Sequence, residues 1–347
     1  MTVRRPMTQR MIAERVGVSV TTVSRVLNQD EAQPERWASP ETIAAILEAA
    51  KEGGYRRNPH AASLRTARSN LIGVLVPRLQ DFVLATIYEG IDEAAAEHGV
   101  STFVTNSMDD PALQRTRTQS MLDRRVDGLI FGDAHYGDPF LDELEAQEIP
   151  FVLTSRRSGD HLAVTCDDLE GGRLVARHLL ELGRTKIAVI AGLPFASTGL
   201  ERTRGLVDEV RAAGFDIPDR WIIQNGFDAA AGRAAAERIF AAEPYPDAVF
   251  ATNDFAAIGA MGVLRDKGLR IPEDVALVGY NDTPLAESIT ISLTTVRSPM
   301  HQMGRVALET LLDLIAGHQV ASQRLMPELI VRGSTVGDEA KREPGAV

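Results

Sequence analysis

Residues 8–28 read Thr8-Gln9-Arg10-Met11-Ile12-Ala13-Glu14-Arg15-Val16-Gly17-Val18-Ser19-Val20-Thr21-Thr22-Val23-Ser24-Arg25-Val26-Leu27-Asn28. Ile12, Ala13 and Val16 share one apolar face of a first helix. Gly17 can take a positive φ and turn the chain. Ser19 is a good N-cap for a second helix, whose buried stripe is Val23, Val26 and Leu27. Two short helices joined at a glycine make a helix-turn-helix, and the start of its second helix enters the DNA major groove. Val20 and Thr21 stand at that start, with Thr22, Ser24 and Arg25 behind them. Their hydroxyls and guanidinium suit phosphates or base edges. Taken alone, the pattern also fits a helical hairpin inside a larger domain.

Charge weighs against that plainer reading. The 347 residues are 44% hydrophobic and 24% charged, a globular composition with room for two or three domains. This excludes a disordered, collagen-like or disulfide-framework chain. The net charge of −11 argues, in bulk, against nucleic acid. Residues 1–70, however, hold 11 Lys/Arg against 7 Asp/Glu, a net of +4, and the remainder carries −15. Affinity for phosphates comes from the cations at the interface, so a small basic head on an acidic body suggests two separate jobs. Cys166 is the single cysteine, so neither an intrachain disulfide nor a Cys/His zinc site is available, and a reduced cytoplasmic setting is expected. Arg4 and Arg5 are not followed by an apolar segment, and no apolar run approaches the roughly 20 residues that span a bilayer. No secretory signal and no membrane partner are expected.

Residues 1–57 form the head, 58–70 a short polar connector, 71–337 a large core, and 338–347 a polar tail expected to be disordered. In the core, short apolar runs alternate with helix-length amphipathic stretches. The runs are Leu71–Val76, Ser101–Thr105, Gly128–Phe131, Pro150–Leu153, Lys186–Ala191, Ala248–Ala251 and Val275–Gly279. Short β-branched runs of this kind are strands buried on both faces, and strand–helix alternation predicts parallel sheets. About four units precede Cys166 and about four follow it, too many for one comfortable sheet. The fold class predicted is therefore α/β, a helix-turn-helix head followed by two doubly wound lobes, with the helix at 297–316 returning to the first. Ligands of such sheets bind at the C-terminal ends of the strands, which places a ligand between the lobes.

The run Gly17-Val18-Ser19 with Thr22-Val23-Ser24-Arg25-Val26-Leu27-Asn28 resembles the signature of the LacI/GalR family of bacterial transcription regulators. The connector is similar too: Gly54-Tyr55, Asn58-Pro59, Ala61 and Ser63-Leu64-Arg65, leading to Ile72-Gly73-Val74. The resemblance implies a periplasmic-binding-protein-like core, operator DNA with a near-palindromic site as partner, and a homodimer. It also implies a connector that forms a hinge helix on the operator, where Leu64 wedges into a base step. Asn58 as N-cap and Pro59 at N1 prime such a helix, which is too short to be stable alone. The DNA-binding residues so implied are Thr8, Ser19, Val20, Thr21, Thr22, Ser24, Arg25, Asn28, Ala61 and Leu64. Three departures concern operator details: Gln9 and Met11 in place of an apolar and an acidic residue, a longer loop between Asn28 and Pro40 containing Trp37, and Ala62 where a basic residue is common.

The core holds no nucleophile–base pair, metal-ligand spacing or phosphate loop, so neither an enzyme nor a cofactor is expected. Gly171-Gly172 opens a helix and is better suited to close packing than to an anion, and Asp109-Asp110 reads as a solvated loop face. Polar and aromatic residues collect instead at strand ends: Asp81-Phe82, Thr154-Ser155-Arg156, Phe195 to Arg202, Phe227, Asn253-Asp254 and Tyr280-Asn281-Asp282. Hydrogen-bonding groups beside a flat aromatic suit a sugar ring. Any one of them could instead be a helix cap, Asp254 above all. The resemblance implies a small effector, most often a sugar, held by Arg202, Phe227, Asn253, Asp254 and Asn281, the last standing where many members carry an aspartate; Asp81, Phe82 and Arg156 join the candidate effector residues from their places at strand ends. The rival class is a sugar-binding module without a DNA role.

Overall fold

The computed structural model describes residues 6–28, 37–55 and 68–337. The chain divides into two compact units, one ending at Ser69 and the other starting at Asn70. Ala61 and Leu64, the side chain of Asn28, and the tail 338–347 lie outside the described residues.

The first unit contains α1 (Gln9–Val16), α2 (Val20–Asn28) and α3 (Pro40–Glu52). Each start is capped by a side chain, as helix termini require. Thr8 Oγ1 accepts from Met11 N, Ser19 Oγ from Thr22 N, and Ser39 Oγ from Thr42 N. Gly17, at φ +76°, closes α1 in the left-handed conformation and sets up the turn. Ile12, Val23 and Ile46, one from each helix, are fully buried at the centre. Gln9 Nε2 donates to Tyr55 Oη at 2.8 Å, which ties the first helix to the residues after the third and gives this polar departure a structural use.

The second unit holds two parallel sheets of six strands. Lobe one has β1 (Leu71–Val76), α4 (Phe82–Glu97), β2 (Ser101–Asn106), α5 (Pro111–Leu122), β3 (Gly128–Phe131), α6 (Phe140–Ala146), β4 (Phe151–Thr154) and β5 (Ala163–Cys166). Lobe two continues with α7 (Asp168–Glu181), β6 (Ile187–Gly192), α8 (Ser197–Ala212), β7 (Ile222–Gln224), α9 (Ala229–Ile239), β8 (Ala248–Ala251), α10 (Asp254–Asp266), β9 (Ala276–Asn281), α11 (Pro284–Ser288) and β10 (Thr294–Arg297). The chain then crosses back. The long helix α12 (Met300–Ala316) packs Met303, Ala307, Leu308 and Leu311 into the lobe-one core, and β11 (Gln323–Leu325) extends that sheet beside β5. A final crossing gives lobe two its antiparallel edge strand β12 (Glu328–Ile330) and the short α13 (Gly333–Val336).

Strand orders β11-β5-β4-β3-β1-β2 and β12-β10-β9-β8-β6-β7 reverse direction around β1 and β6, the doubly wound pattern. Three chain crossings join the lobes, the arrangement needed for one lobe to hinge on the other. The glycine pair is explained by close packing, Gly171 against the Tyr280 side chain and Gly172 against the neighbouring helix. A Cβ on Gly172 would meet the Arg202 carbonyl oxygen at 2.1 Å, and one on Gly205 would meet that of Leu169 at 2.0 Å. Helices α7 and α8 therefore touch backbone to backbone.

Candidate functional site

On the head, the exposed side of α2 carries Val20, Thr21 and Arg25, and Val20 is 45% exposed. An apolar residue so exposed at a helix start makes sense at a surface that meets DNA. Thr8 and Ser19 spend their hydroxyls on caps, and the Thr22 hydroxyl lies 2.8 Å from that of Ser19. Thr21 and Arg25, one turn apart, are the polar side chains that α2 presents outward.

In the core, the strand ends of the two sheets supply a polar cleft where the lobes touch. His135 of lobe one stacks on Phe195 of lobe two with ring centroids 4.1 Å apart. Tyr136 N donates to Phe195 O at 2.9 Å, and Arg157 N to Ser197 Oγ at 2.8 Å. Arg157 also pairs with Glu201 across the gap.

Two buried guanidiniums anchor the two sides. Arg156 forks onto Asp109, Nη1 to Oδ1 at 2.6 Å and Nη2 to Oδ2 at 3.2 Å. Burial opposes ionisation of Asp109, but His135 and Arg156 outweigh it and hold the carboxyl at about 2. Asp109 is thus a structural counter-ion and not a solvated loop carboxylate; its neighbour Asp110 caps α5 through Ala112 and Leu113. On the other side Arg202 Nε donates to Asp168 Oδ1 at 2.7 Å and Nη1 to Thr252 O at 2.7 Å, with the Tyr280 ring 3.7 Å from the guanidinium carbon. Burial pushes Asp168 up despite Arg202, and pushes Tyr280 far above its ordinary value.

The remaining residues divide by how their polar atoms are used. Asp81 caps α4 by accepting from Val83 N at 3.0 Å, and burial raises its carboxyl. Phe82 beside it is 38% exposed. Asn253, not Asp254, caps α10 through Phe255 N at 2.8 Å. Asp254 is fully buried, accepting from Thr295 Oγ1 at 2.6 Å and Thr283 N at 2.7 Å, and burial lifts it to about 6. Phe227 packs closely on Gly192, where a Cβ would come within 2.4 Å of its ring. Asn281 ends β9 at φ +106°, an uncommon conformation for a side chain-bearing residue. Its Oδ1 is buried with no hydrogen-bond partner.

Asp133 escaped the reading of strand ends, although it follows β3 by two residues, the position at which its neighbours were picked out. It is 1% exposed and neither carboxylate oxygen has a hydrogen-bond partner. Ser107 and Gln114 stand close enough to favour its anion, but not in hydrogen-bond geometry, and burial raises the carboxyl. Thr154 Oγ1 at the end of β4, beside β3, and Ser107 Oγ just past the end of β2 are likewise buried and unpartnered. Buried polar atoms in this condition are rare and each costs about 1–3 kcal/mol, so a cluster of them marks a place built for something else to bind.

Among the described residues, Asp142, Glu145 and His161 form a group able to hold a metal ion. His161 Nε2 faces Asp142 at 2.9 Å and Nδ1 faces Glu145 at 3.5 Å. No helix among the described residues is long and apolar enough to cross a membrane.

A three-helix head with an exposed second helix, joined in sequence to a two-lobed core with a polar cleft, defines a ligand-responsive DNA-binding protein. Residues 10–58 match the family described as bacterial regulatory proteins, lacI family, and residues 176–335 match a periplasmic binding protein-like domain. The chain is 32% identical over 329 residues to the HTH-type transcriptional repressor PurR of Klebsiella pneumoniae (strain 342), covering 93% of this chain and 95% of that one. Identity is 31% over 330 residues to PurR of Haemophilus influenzae (strain PittEE), with 93% and 97% covered. Among solved structures, the lac repressor dimer bound to operator and the anti-inducer ONPF superposes with TM-score 0.87 at 26% identity, over 96% of this chain and all of that one. A complex of the transcriptional regulator CelR with cellobiose gives TM-score 0.71 at 31% identity, over 95% and 100%. This chain belongs to the lacI family of bacterial regulatory proteins. Its head is the DNA-binding domain and its core the effector-binding domain of a transcription regulator.

Proposed function

We propose that the chain is an operator-binding repressor whose DNA affinity is set by a neutral, polyhydroxylated effector held between the lobes. One observation carries the choice of effector. Both buried guanidiniums at the strand ends are already paired, Arg156 with Asp109 and Arg202 with Asp168, whereas Asp133 and Asn281 keep buried acceptors with no partner. Such a site wants hydroxyl donors and has no spare buried cation for a phosphate or carboxylate. The effector-contacting residues are Asp81, Phe82, Arg156, Arg202, Phe227, Asn253 and Asn281, with Asp133 added, while Asp254 is spent on Thr283 and Thr295. That CelR is a cellobiose complex agrees with a neutral sugar.

The head, residues 1–57, reads DNA through α2, and the residues that contact it are Thr8, Ser19, Val20, Thr21, Thr22, Ser24, Arg25 and Asn28. The hinge, 58–70, adds Ala61 and Leu64, and the core, 71–337, joins two copies into a dimer of the kind the lac repressor forms on its operator. Effector-driven closure of the lobes changes how well the paired hinges fit DNA, a coupling between two sites through a two-state element. The work is regulation in the cytoplasm and not catalysis, in line with relatives that are transcriptional repressors.

A thermal-shift screen tests the effector class, since a ligand at 100 times its Kd stabilises by about 2.7 kcal/mol. Cellobiose, other neutral disaccharides and hexoses should include a compound that raises the melting temperature and alters operator binding. The shift should collapse in Asn281→Ala. A response confined to sugar phosphates or acidic sugars would overturn the reading.

A further inference from the structure

Trp37 stands two residues before the Ser39 cap of α3, at the end of the loop that is longer here than in the family pattern. It is 37% exposed, yet its ring is not idle. The guanidinium carbon of Arg25 sits 4.0 Å from the ring centroid. Arg25 projects from the exposed side of α2, one turn beyond Thr21. The ion pairs of the head among the described residues, Arg10–Glu14 and Arg15–Glu52, leave it out.

A guanidinium stacked on an indole face keeps all its N–H groups in the plane, pointing away from the ring. Contact with the Trp37 ring therefore restricts where the Arg25 guanidinium sits without using up a donor. Recognition of guanine by arginine needs that fork edge-on, bonded to O6 and N7 together in the major groove. A free, exposed arginine has to give up rotamer freedom to reach that pose, and an arginine already seated on a ring has given up part of it beforehand.

We propose that Trp37 is a positioning residue for base readout, seating the Arg25 guanidinium so that α2 presents its donor edge to a guanine. The residue acts through Arg25 and takes no hydrogen bond from DNA itself. The extended loop thereby contributes to sequence choice from outside the helix-turn-helix.

The test uses the full chain and two probes: a duplex selected from a random-sequence pool by the wild-type protein, and a random-sequence duplex of equal length. An exposed cation–π contact of about 0.5–1 kcal/mol corresponds to a factor of about 2–5. Trp37→Ala should weaken binding to the selected duplex by about 2–5-fold and leave the random duplex and the salt slope unchanged. Trp37→Phe should recover part of the loss. Repeating the selection with Trp37→Ala should relax preference at the same base pair that Arg25→Ala relaxes. In the Arg25→Ala background the tryptophan substitution should change nothing further. An equal loss in both backgrounds would mean that Trp37 touches DNA or merely supports the fold, and no loss in either would mean that the stack has no bearing on readout. Either result overturns the proposal.

Discussion

The head and the core place the residues proposed to meet DNA and effector in opposite environments. Val20, Thr21 and Arg25 are exposed on a unit in which, among the described residues, Ile12, Val23 and Ile46 are fully buried. Arg156, Arg202 and Asn281 are 5%, 5% and 2% exposed, and Asp133 is 1%. DNA is a large partner that brings its own hydrogen-bonding edge to a surface. A small effector has to be surrounded, so its partners lie inside the protein and belong to the fold as well as to the site. Substitutions in the head should therefore separate affinity from stability, and those in the cleft should not.

The largest effect is expected at Arg202. Its guanidinium neutralises Asp168, supports the Thr252 carbonyl and lies under Tyr280. Arg202→Ala leaves a buried carboxylate unpaired, which costs about 3–5 kcal/mol. Urea unfolding of the core should show a loss of that order, together with loss of effector response. Arg202→Met combined with Asp168→Leu replaces the pair by apolar groups and should regain most of the stability without the response. If Arg202→Ala is as stable as wild type, the cleft is not built into the fold in the way described.

A smaller effect, of opposite character, is expected at Asp254. Burial raises this carboxyl to about 6 against an ordinary value of 3.8. A group that holds its proton more tightly in the folded state stabilises fully below its unfolded pKa, and that gain is lost as pH rises through about 6. For a shift near two units the change approaches about 3 kcal/mol. Asp254→Asn cannot titrate, so the unfolding midpoint of the core should vary less between pH 4 and 6.5 in the variant than in the wild type. In the variant the amide can keep its oxygen on Thr283 N–H and turn its –NH2 to the Thr295 hydroxyl, which can accept; the slope, and not the level, is the measurement. An unchanged slope would place the titration elsewhere.

The same contrast explains what the sequence could and could not disclose. Local signals were sufficient for the head: Gly17 turns the chain, Ser19 caps α2, and the stripe of Val23, Val26 and Leu27 faces inward. Seven of the twelve strands among the described residues are legible as uninterrupted apolar runs, whereas β5 and β10 are buried but only four residues long and polar in part (Thr165, Thr294, Thr295, Arg297), and carry no such run. Short edge elements such as β11 and β12 are not legible either, since three half-exposed residues carry no pattern. In the cleft, position was legible and partnership was not. Strand ends could be located, but the pairing of Arg202 with Asp168 spans 34 residues and that of Arg156 with Asp109 spans 47. For that reason Asp109 reads in sequence as a loop carboxylate, and Asp254 as a cap or ligand contact when the cap is Asn253. Asp133 was accessible by the same strand-end rule that found Asn281.

The smallest effect expected on stability is the sharpest check on the comparison. Thr21 is exposed, caps nothing and bonds to no other described residue. Thr21→Ala should leave the melting of the head within about 0.5 kcal/mol of wild type, the usual range for surface changes away from special features. Its hydroxyl and methyl can still meet a base edge at the start of α2, so affinity for a selected operator should fall several-fold while affinity for random DNA holds. Because no charge is removed, the dependence on salt should be the same in variant and wild type. A drop in stability comparable to that at Arg202 would show that the head, like the cleft, has its working residues built into its fold. The distinction between a surface that reads and an interior that grips would then fail at the residue chosen to display it.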